Sequence, residues 1–171
     1  DRTAKTFSLA MQIAQEMNIL NQGDLVVQTA GTLTGISGST DLIKVGLVRK
    51  IVSRGISIGE IGVTGKARII NSYQDFSLIC PGEILFVPRE LLENVPVTEN
   101  IAGIVTNQSV DDVYALYNKN NNKISTICNL ENIYDLQITN GDLVTLQLNE
   151  GVIYMGQIED DDDAIDKYKY V

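Results

Sequence analysis

The sequence of 171 residues contains no histidine and only two cysteines. The absence of histidine excludes serine–histidine and cysteine–histidine nucleophile pairs, histidine-ligated zinc, histidine-bound haem and every phosphohistidine relay. Two cysteines are too few for a four-cysteine zinc site. An enzyme built from this sequence would have to use carboxylate, lysine or tyrosine chemistry, and no pattern of that kind stands out.

Basic residues and long apolar runs are also scarce. There are 13 Lys and Arg against 22 Asp and Glu, and the net charge of −9 argues against nucleic acid as a partner, because phosphate-backbone binding needs clustered positive charge. No apolar run approaches the roughly 18 residues that a membrane span needs, so no membrane partner is expected. With 44% hydrophobic residues the chain can bury a core, and its length suits one large domain or two small ones.

The two cysteines, Cys80 and Cys128, lie far apart in the sequence, and each has apolar neighbours. This setting predicts two buried core thiols in a reducing cytoplasm rather than a disulfide or half of a metal site. Both thiols are therefore expected to react slowly with thiol reagents while the protein is folded.

The first 50 residues predict a helix, a strand, a loop and a second strand. Apolar residues recur at helical spacing at Phe7, Ala10, Met11, Ala14 and Met17. Residues 25–27 form an apolar run that predicts a strand buried on both faces. The loop at residues 31–41 is rich in glycine, serine and threonine, so its N–H groups and hydroxyls could bind an anion. A tight connection that binds nothing is an equally good interpretation.

Residues 48–59 have no clear period and predict a linker. Beyond it, strands are predicted at 66–70, 83–87 and 103–106, and alternating apolar and polar residues after position 141 predict a half-buried hairpin. Residues 72–79 and 89–100 have only short or broken helical periodicity. The motif IGVTGKA resembles the end of a phosphate-binding loop, but Glu60 and Ala67 break the Walker pattern.

The stretch GDLVVQTAG, followed by GISGSTDLIKV, closely resembles the end of the pyruvate kinase C-terminal domain. In that family the loop rich in glycine and serine belongs to the allosteric effector site and closes over a phosphate of a sugar phosphate or nucleotide. The resemblance implies that such an effector binds Gly35, Ser37, Gly38, Ser39 and Thr40. Two positions depart from the family, because Leu33 replaces a frequent proline and Asp41 replaces the usual asparagine.

Residues 55–157 resemble the swivelling phosphohistidine domain of enzymes that use phosphoenolpyruvate, which some bacterial pyruvate kinases carry as a C-terminal extension. The matching motifs are GVTGKARII, PGEILFVP, AGIVTN and NGDLVTLQLNEGVIYMG. In active members a Thr-Ser-His motif follows AGIVT and its histidine carries the phosphoryl group, whereas Tyr114 falls at that position here. An aromatic that packs is the favoured interpretation, since a phenol beside Asp111 and Asp112 is a poor phosphoryl carrier.

Together the resemblances imply an α/β fold in three parts. Residues 1–50 are expected to form the end of a pyruvate kinase C-terminal effector domain, residues 51–158 a degenerate swivelling β/β/α domain, and residues 159–171 an acidic tail. The chain is then a noncatalytic regulatory or structural fragment whose upstream catalytic barrel is missing. Its parent would transfer phosphate from phosphoenolpyruvate to ADP in the cytoplasm, with magnesium and potassium.

The resemblance implies no cofactor, metal or catalytic residue in the fragment itself. Its expected partners are the rest of the pyruvate kinase chain, a second copy in a homo-oligomer, and a phosphorylated small-molecule effector. The alternative is a free-standing pyruvate kinase C-terminal-like module for interaction or regulation, with no enzymatic activity.

Replacing Asp41 with asparagine should strengthen the binding of phosphorylated ligands to the 31–41 loop. A carboxylate facing a phosphate dianion at about 4–6 Å would cost on the order of 1–4 kcal/mol at surface-like dielectric. We expect weak or no binding of fructose 1,6-bisphosphate and AMP by the unmodified chain, and tighter binding by Asp41→Asn at unchanged thermal stability. Titration calorimetry at low salt measures both. Equal affinities would mean that Asp41 points away from the ligand.

Overall fold

The computed structural model describes residues 2–21, 24–31, 40, 42–96 and 100–157. Its contacts divide the chain into two compact units, unit 1 with Asp1–Lys50 and unit 2 with Ile51–Ile158. Within the described ranges, no helix is long and apolar enough to cross a membrane.

The described residues of unit 1 form one helix and a two-stranded antiparallel sheet, as the sequence predicts. The elements are α1 (Arg2–Glu16), β1 (Leu25–Ala30) and β2 (Leu42–Leu47). After α1 the chain turns at Asn18, whose positive φ of 56° is a conformation that asparagine tolerates better than most residues. The register pairs Val27 with Val45 and Gln28 with Lys44.

One face of this sheet packs against α1. Phe7 of the helix is buried, and its carbonyl oxygen accepts a hydrogen bond of 3.0 Å from the Gln28 side chain. The ammonium group of Lys44 lies 6.0 Å from the centre of the Phe7 ring. Gln28 and Lys44 therefore mark the side of the sheet that faces the helix.

The prediction that β1 is buried on both faces is wrong. Leu25 and Val27 are 70% and 59% exposed, and on β2 Ile43 and Val45 are 39% and 37% exposed. Because side chains alternate along a strand, these four residues share the sheet face opposite Gln28 and Lys44. We call this surface, formed by Leu25, Val27, Ile43 and Val45, the apolar face of unit 1.

Unit 2 is built on one eight-stranded sheet with a helix and two 3-10 helices. The strands are β3 (Ile51–Arg54), β4 (Ile56–Ile58), β5 (Val63–Ile69), β6 (Ile84–Phe86), β7 (Gly103–Val105), β8 (Thr126–Cys128), β9 (Leu143–Gln147) and β10 (Val152–Met155). The 3-10 helices are Tyr73–Leu78 and Arg89–Asn94, and helix α2 is Val110–Asn120. The predicted strands near 66–70, 83–87 and 103–106 and the terminal hairpin are confirmed. The linker predicted at 48–59 is wrong, because β3 and β4 lie there.

The strand order closes the sheet of unit 2 on itself. The order is β3-β10-β9-β5-β6-β7-β8-β4, so its two end strands are consecutive in the chain and only Gly55 separates them. Seven strand spacings in a flat sheet would span about 33 Å. One residue reaches only about 3.5 Å, so the sheet must curl until its ends meet.

Gly65 and Gly55 are two of the glycines at which the curled backbone passes close to itself. A β-carbon at Gly65 would lie 2.5 Å from the carbonyl oxygen of Gly82, and one at Gly55 would lie closer still to the carbonyl oxygen of Cys128. Gly65 is in β5, which pairs antiparallel with β9 over its first half and parallel with β6 over its second. Any side chain at either position would push the two backbone segments apart.

Strands β6 and β7 are buried on both faces, which explains their unbroken apolar sequences. Ile84, Phe86 and Val105 pack in one cluster with residues of β8, β9 and β10. Leu85 and Ile104 point the other way and pack in a second cluster against α2. The parallel pairs β5–β6, β6–β7 and β7–β8 thus form a layer between two cores.

The two cysteines differ in burial. Cys128 is buried as predicted, its thiol lies 3.3 Å from the carbonyl oxygen of Ile56, and burial raises its pKa. Cys80 is exposed, so the prediction of a core thiol is wrong there. Its apolar neighbour Leu78 ends a 3-10 helix at the surface and is itself 55% exposed.

Substituting alanine for Gly65 should destabilise unit 2. The added methyl group must displace the Gly82 backbone, and overpacking of this kind typically costs about 1–3 kcal/mol. Urea unfolding followed by circular dichroism measures the loss. Gly46→Ala is the control, because a β-carbon there meets nothing within 4 Å. Equal unfolding midpoints for the two variants would contradict the close approach.

Candidate functional site

The predicted effector residues lie almost entirely outside the described part of the chain. Gly35, Ser37, Gly38 and Ser39 are outside it, as is Asp41, while Thr40 is described and exposed. The nearest cation after the loop in the sequence is Lys44, whose ammonium group lies on the helix side of the sheet near Phe7. Phosphate binding by this loop remains a prediction.

The start of α2 is the second position that the sequence singles out. Ser109 caps the helix, and its hydroxyl accepts a hydrogen bond of 3.3 Å from the amide of Asp112. Asp111 and Asp112 occupy the first turn, where carboxylates are stabilised by the helix dipole. Their negative charge makes this helix start unfavourable for an incoming phosphate.

Tyr114, at the expected histidine position, is 45% exposed on α2. It does not pack in the core, so the favoured interpretation of a packing aromatic is wrong. The aromatic that does pack is Tyr117, one turn further on, which is buried and hydrogen-bonded to the Thr126 hydroxyl. Because that hydroxyl donates to the carbonyl oxygen of Ile124 at 2.7 Å, the phenol of Tyr117 must be the donor to it. Burial raises the pKa of Tyr117 to about 12.

A cleft in unit 2, which the sequence did not indicate, contains the strongest electrostatic arrangement that the structure describes. It is open to solvent and has a volume of about 610 Å³ between β5 and the turns at 80–83 and near 141. Its charged lining residues are Lys66, Arg68 and Glu83, and the exposed Cys80 lies beside them.

Arg68 and Glu83 form a two-pronged ion pair at this cleft. The guanidinium donates from Nε to one carboxylate oxygen at 3.1 Å and from Nη2 to the other at 2.8 Å. Glu83 is only 6% exposed and also accepts a hydrogen bond of 2.9 Å from the amide of Cys80. The carboxylate thereby ties the 80–83 turn to β5.

The pKa values of the pair reflect this geometry. Burial alone would raise the pKa of Glu83, but the hydrogen bonds from Arg68 and the Cys80 amide outweigh it, and the pKa lies below its ordinary value. The hydrogen bond to Glu83 raises the pKa of Arg68. Both groups are therefore charged at neutral pH.

Only a faint sequence signal pointed to this pair. Lys66 and Arg68 alternate with apolar residues in KARII, and Glu83 directly precedes the apolar run at 84–87. A charged residue at the start of a buried strand needs a partner. Nothing in the spacing shows that the partner is Arg68, because parallel pairing of β5 with β6 brings them together.

The first part of the chain matches the model of a known protein family. Residues 1–46, which contain α1, β1 and most of β2, match the family model described as the pyruvate kinase alpha/beta domain. The chain matches the C-terminal portion of pyruvate kinases.

The similarity to pyruvate kinases continues through unit 2. Pyruvate kinase 2 of Synechocystis is 38% identical over 156 residues, which cover 91% of this chain and 26% of that protein. The pyruvate kinase of Staphylococcus haemolyticus is 30% identical over 148 residues, covering 86% and 25%. The pyruvate kinase of Geobacillus stearothermophilus is 28% identical over 155 residues, covering 90% and 26%. The chain thus spans about a quarter of the length of these relatives.

Among solved structures, an apo form of the microcin C7 self-immunity protein MccF superposes with a TM-score of 0.43 at 13% identity, over 86% of this chain and 55% of that one. A similarity this low carries no information about the function of either unit.

Removing the charge of Glu83 should destabilise unit 2 and change its response to acid. The pKa of Glu83 in the folded protein lies below its ordinary value of 4.5. The stability that the ion pair contributes is therefore fully present above pH 4.5, and it is lost as the pH falls through the pKa of the folded state. Glu83→Gln should cost about 1.5–3 kcal/mol at pH 7 and flatten the loss of stability in acid.

Urea unfolding of both forms from pH 7 down to acid pH measures this effect. Glu93→Gln, at an exposed position in the second 3-10 helix, is the matched control and should unfold like the parent. Parallel pH profiles for Glu83→Gln and the parent would mean that the pair adds no net stability.

Proposed function

We propose that this chain is the noncatalytic C-terminal regulatory and structural portion of a pyruvate kinase. The observation that carries the proposal is the 38% identity over 91% of the chain with one quarter of pyruvate kinase 2. The parent enzyme transfers phosphate from phosphoenolpyruvate to ADP in the cytoplasm, with magnesium and potassium. The portion described by this chain contributes binding surfaces to it and no catalytic group.

The apolar face of unit 1 supports a structural role. Val27 and Val45 are direct cross-strand partners, so the exposed apolar residues form one continuous patch rather than scattered contacts. A sheet in an α/β domain is normally covered on both faces, because each apolar face must leave water. We propose that the upstream part of the same domain in the parent chain packs against the apolar face of unit 1.

Unit 2 is proposed to be a swivelling domain that has lost its phosphoryl chemistry. In support, α2 follows β7 directly, and its first turn carries Asp111 and Asp112 where an active domain would receive a phosphoryl group. Tyr114, at the position expected for the histidine, is exposed on α2. Unit 2 then contributes to assembly, in a homo-oligomer or against the catalytic barrel.

Regulation is proposed to reside in unit 1. The loop residues Gly35, Ser37, Gly38, Ser39 and Thr40 would close over the phosphate of a small-molecule effector. The support is the family match of residues 1–46, which contain all five. The remainder of the effector pocket would come from the parent chain.

A chimera tests the proposal. When this chain replaces the matching C-terminal quarter of Synechocystis pyruvate kinase 2, we expect a folded enzyme that forms pyruvate. The chain alone should form no pyruvate and should gain no phosphoryl mass after incubation with phosphoenolpyruvate. Within the chimera, Val27→Lys should lower the melting temperature much more than it does in the chain alone, because only in the chimera is Val27 covered.

Leu78→Lys is the matched control for that comparison. Leu78 is 55% exposed, close to the 59% of Val27, but belongs to unit 2 and is not one of the four residues of the apolar face. It should shift the melting temperature equally in both contexts. Pyruvate formation by the chain alone, or an equally small effect of Val27→Lys in both contexts, would reject the proposal. The second result would favour a free-standing module.

A further inference from the structure

The cleft of unit 2 has a positively charged wall that the proposed function does not use. Lys66 and Arg68 are two residues apart on β5, so their side chains leave the same face of the strand. Glu83 neutralises Arg68, and Lys66 has no ion-pair partner within 4.0 Å among the residues that the structure describes. The charges that line the cleft therefore sum to one net positive charge in a protein of net charge −9.

Arg68 has N–H donors that do not bind Glu83 and could bind a further acceptor. Two of its five N–H donors bind Glu83, which leaves three. The thiol of Cys80, a weak acceptor, lies beside them. Because a nearly buried carboxylate fixes the guanidinium in place, a ligand that binds the remaining donors need not order a flexible side chain.

The cleft also has room for the carbon skeleton of a small ligand. Gly82 and Gly141 line it with φ values of +80° and +90°, and a β-carbon at either would meet nothing within 4 Å. Pro81 and Leu143 add apolar surface to the lining. Its volume of about 610 Å³ lies within the range of small-molecule sites.

We propose that this cleft binds a small organic anion, through a carboxylate or phosphate group held by Lys66 and by the donors of Arg68 that do not bind Glu83. The apolar residues would contact its carbon skeleton. All the lining residues of the cleft belong to unit 2, so the proposal does not rest on the effector site proposed for unit 1. Carboxylate and phosphate offer the same bidentate acceptor geometry to a guanidinium.

Nuclear magnetic resonance of the whole chain tests the site, with inorganic phosphate and malonate as probes at constant ionic strength. We expect saturable shifts of the Gly82 and Gly141 amides with at least one probe, and the probe that saturates first identifies the anionic group. Lys66→Met, which keeps the apolar stem, should weaken this binding about tenfold, the effect of losing one charge-assisted contact. The same anion should slow alkylation of Cys80 by neutral N-ethylmaleimide.

Lys123→Met is the control, because Lys123 is exposed and does not line the cleft. It should leave the affinity unchanged. Shifts confined to residues around β1 and β2 would report the loop of unit 1 and would overturn the assignment to the cleft. So would the absence of saturation at tens of millimolar of both probes, or full affinity in Lys66→Met.

Discussion

The closure of the unit 2 sheet depends on places where one stretch of backbone meets another with no side chain between them, and two of these are at Gly55 and Gly65. At Gly55 the chain passes from the β10 side of the sheet to the β8 side, and at Gly65 β5 changes partner from β9 to β6. At Gly65 the backbone that comes close is the carbonyl group of Gly82, which belongs to the 80–83 turn. Because that turn carries Glu83 and Cys80, the geometry of the charged cleft depends on the absence of a β-carbon at Gly65.

The two units differ in how far their apolar side chains are buried. In unit 2 both faces of β6 and β7 are buried, and the buried Tyr117 phenol and Thr126 hydroxyl are hydrogen-bonded to each other. Unit 1 buries Phe7 but leaves Leu25 and Val27 exposed. A helix and two strands cannot enclose a core of useful size, so the stability of unit 1 must come largely from further contacts.

The sequence predicted elements well where a single period or an unbroken apolar run dominates. The helix at the start, the parallel strands around 84–86 and 103–105 and the terminal hairpin all have such patterns. It failed at 48–59, where glycines and basic residues suggested a linker, because Gly55 is needed for closure and that need is visible only in three dimensions. It failed at Cys80 and at β1 for a related reason, since apolar neighbours indicate burial only when another element covers them. The ion pair between Arg68 and Glu83 was missed because strand pairing, not spacing, creates it.

The two sheets differ in how much unpaired strand backbone they present to other chains. In unit 2 the two end strands have only four and three residues and continue into each other, so they present little open backbone to another chain. The described sheet of unit 1 has six-residue strands, and two strands alone leave an outer edge on each. An exposed edge next to an apolar face is the arrangement that nucleates intermolecular β-pairing. Aggregation of this chain should therefore begin in unit 1.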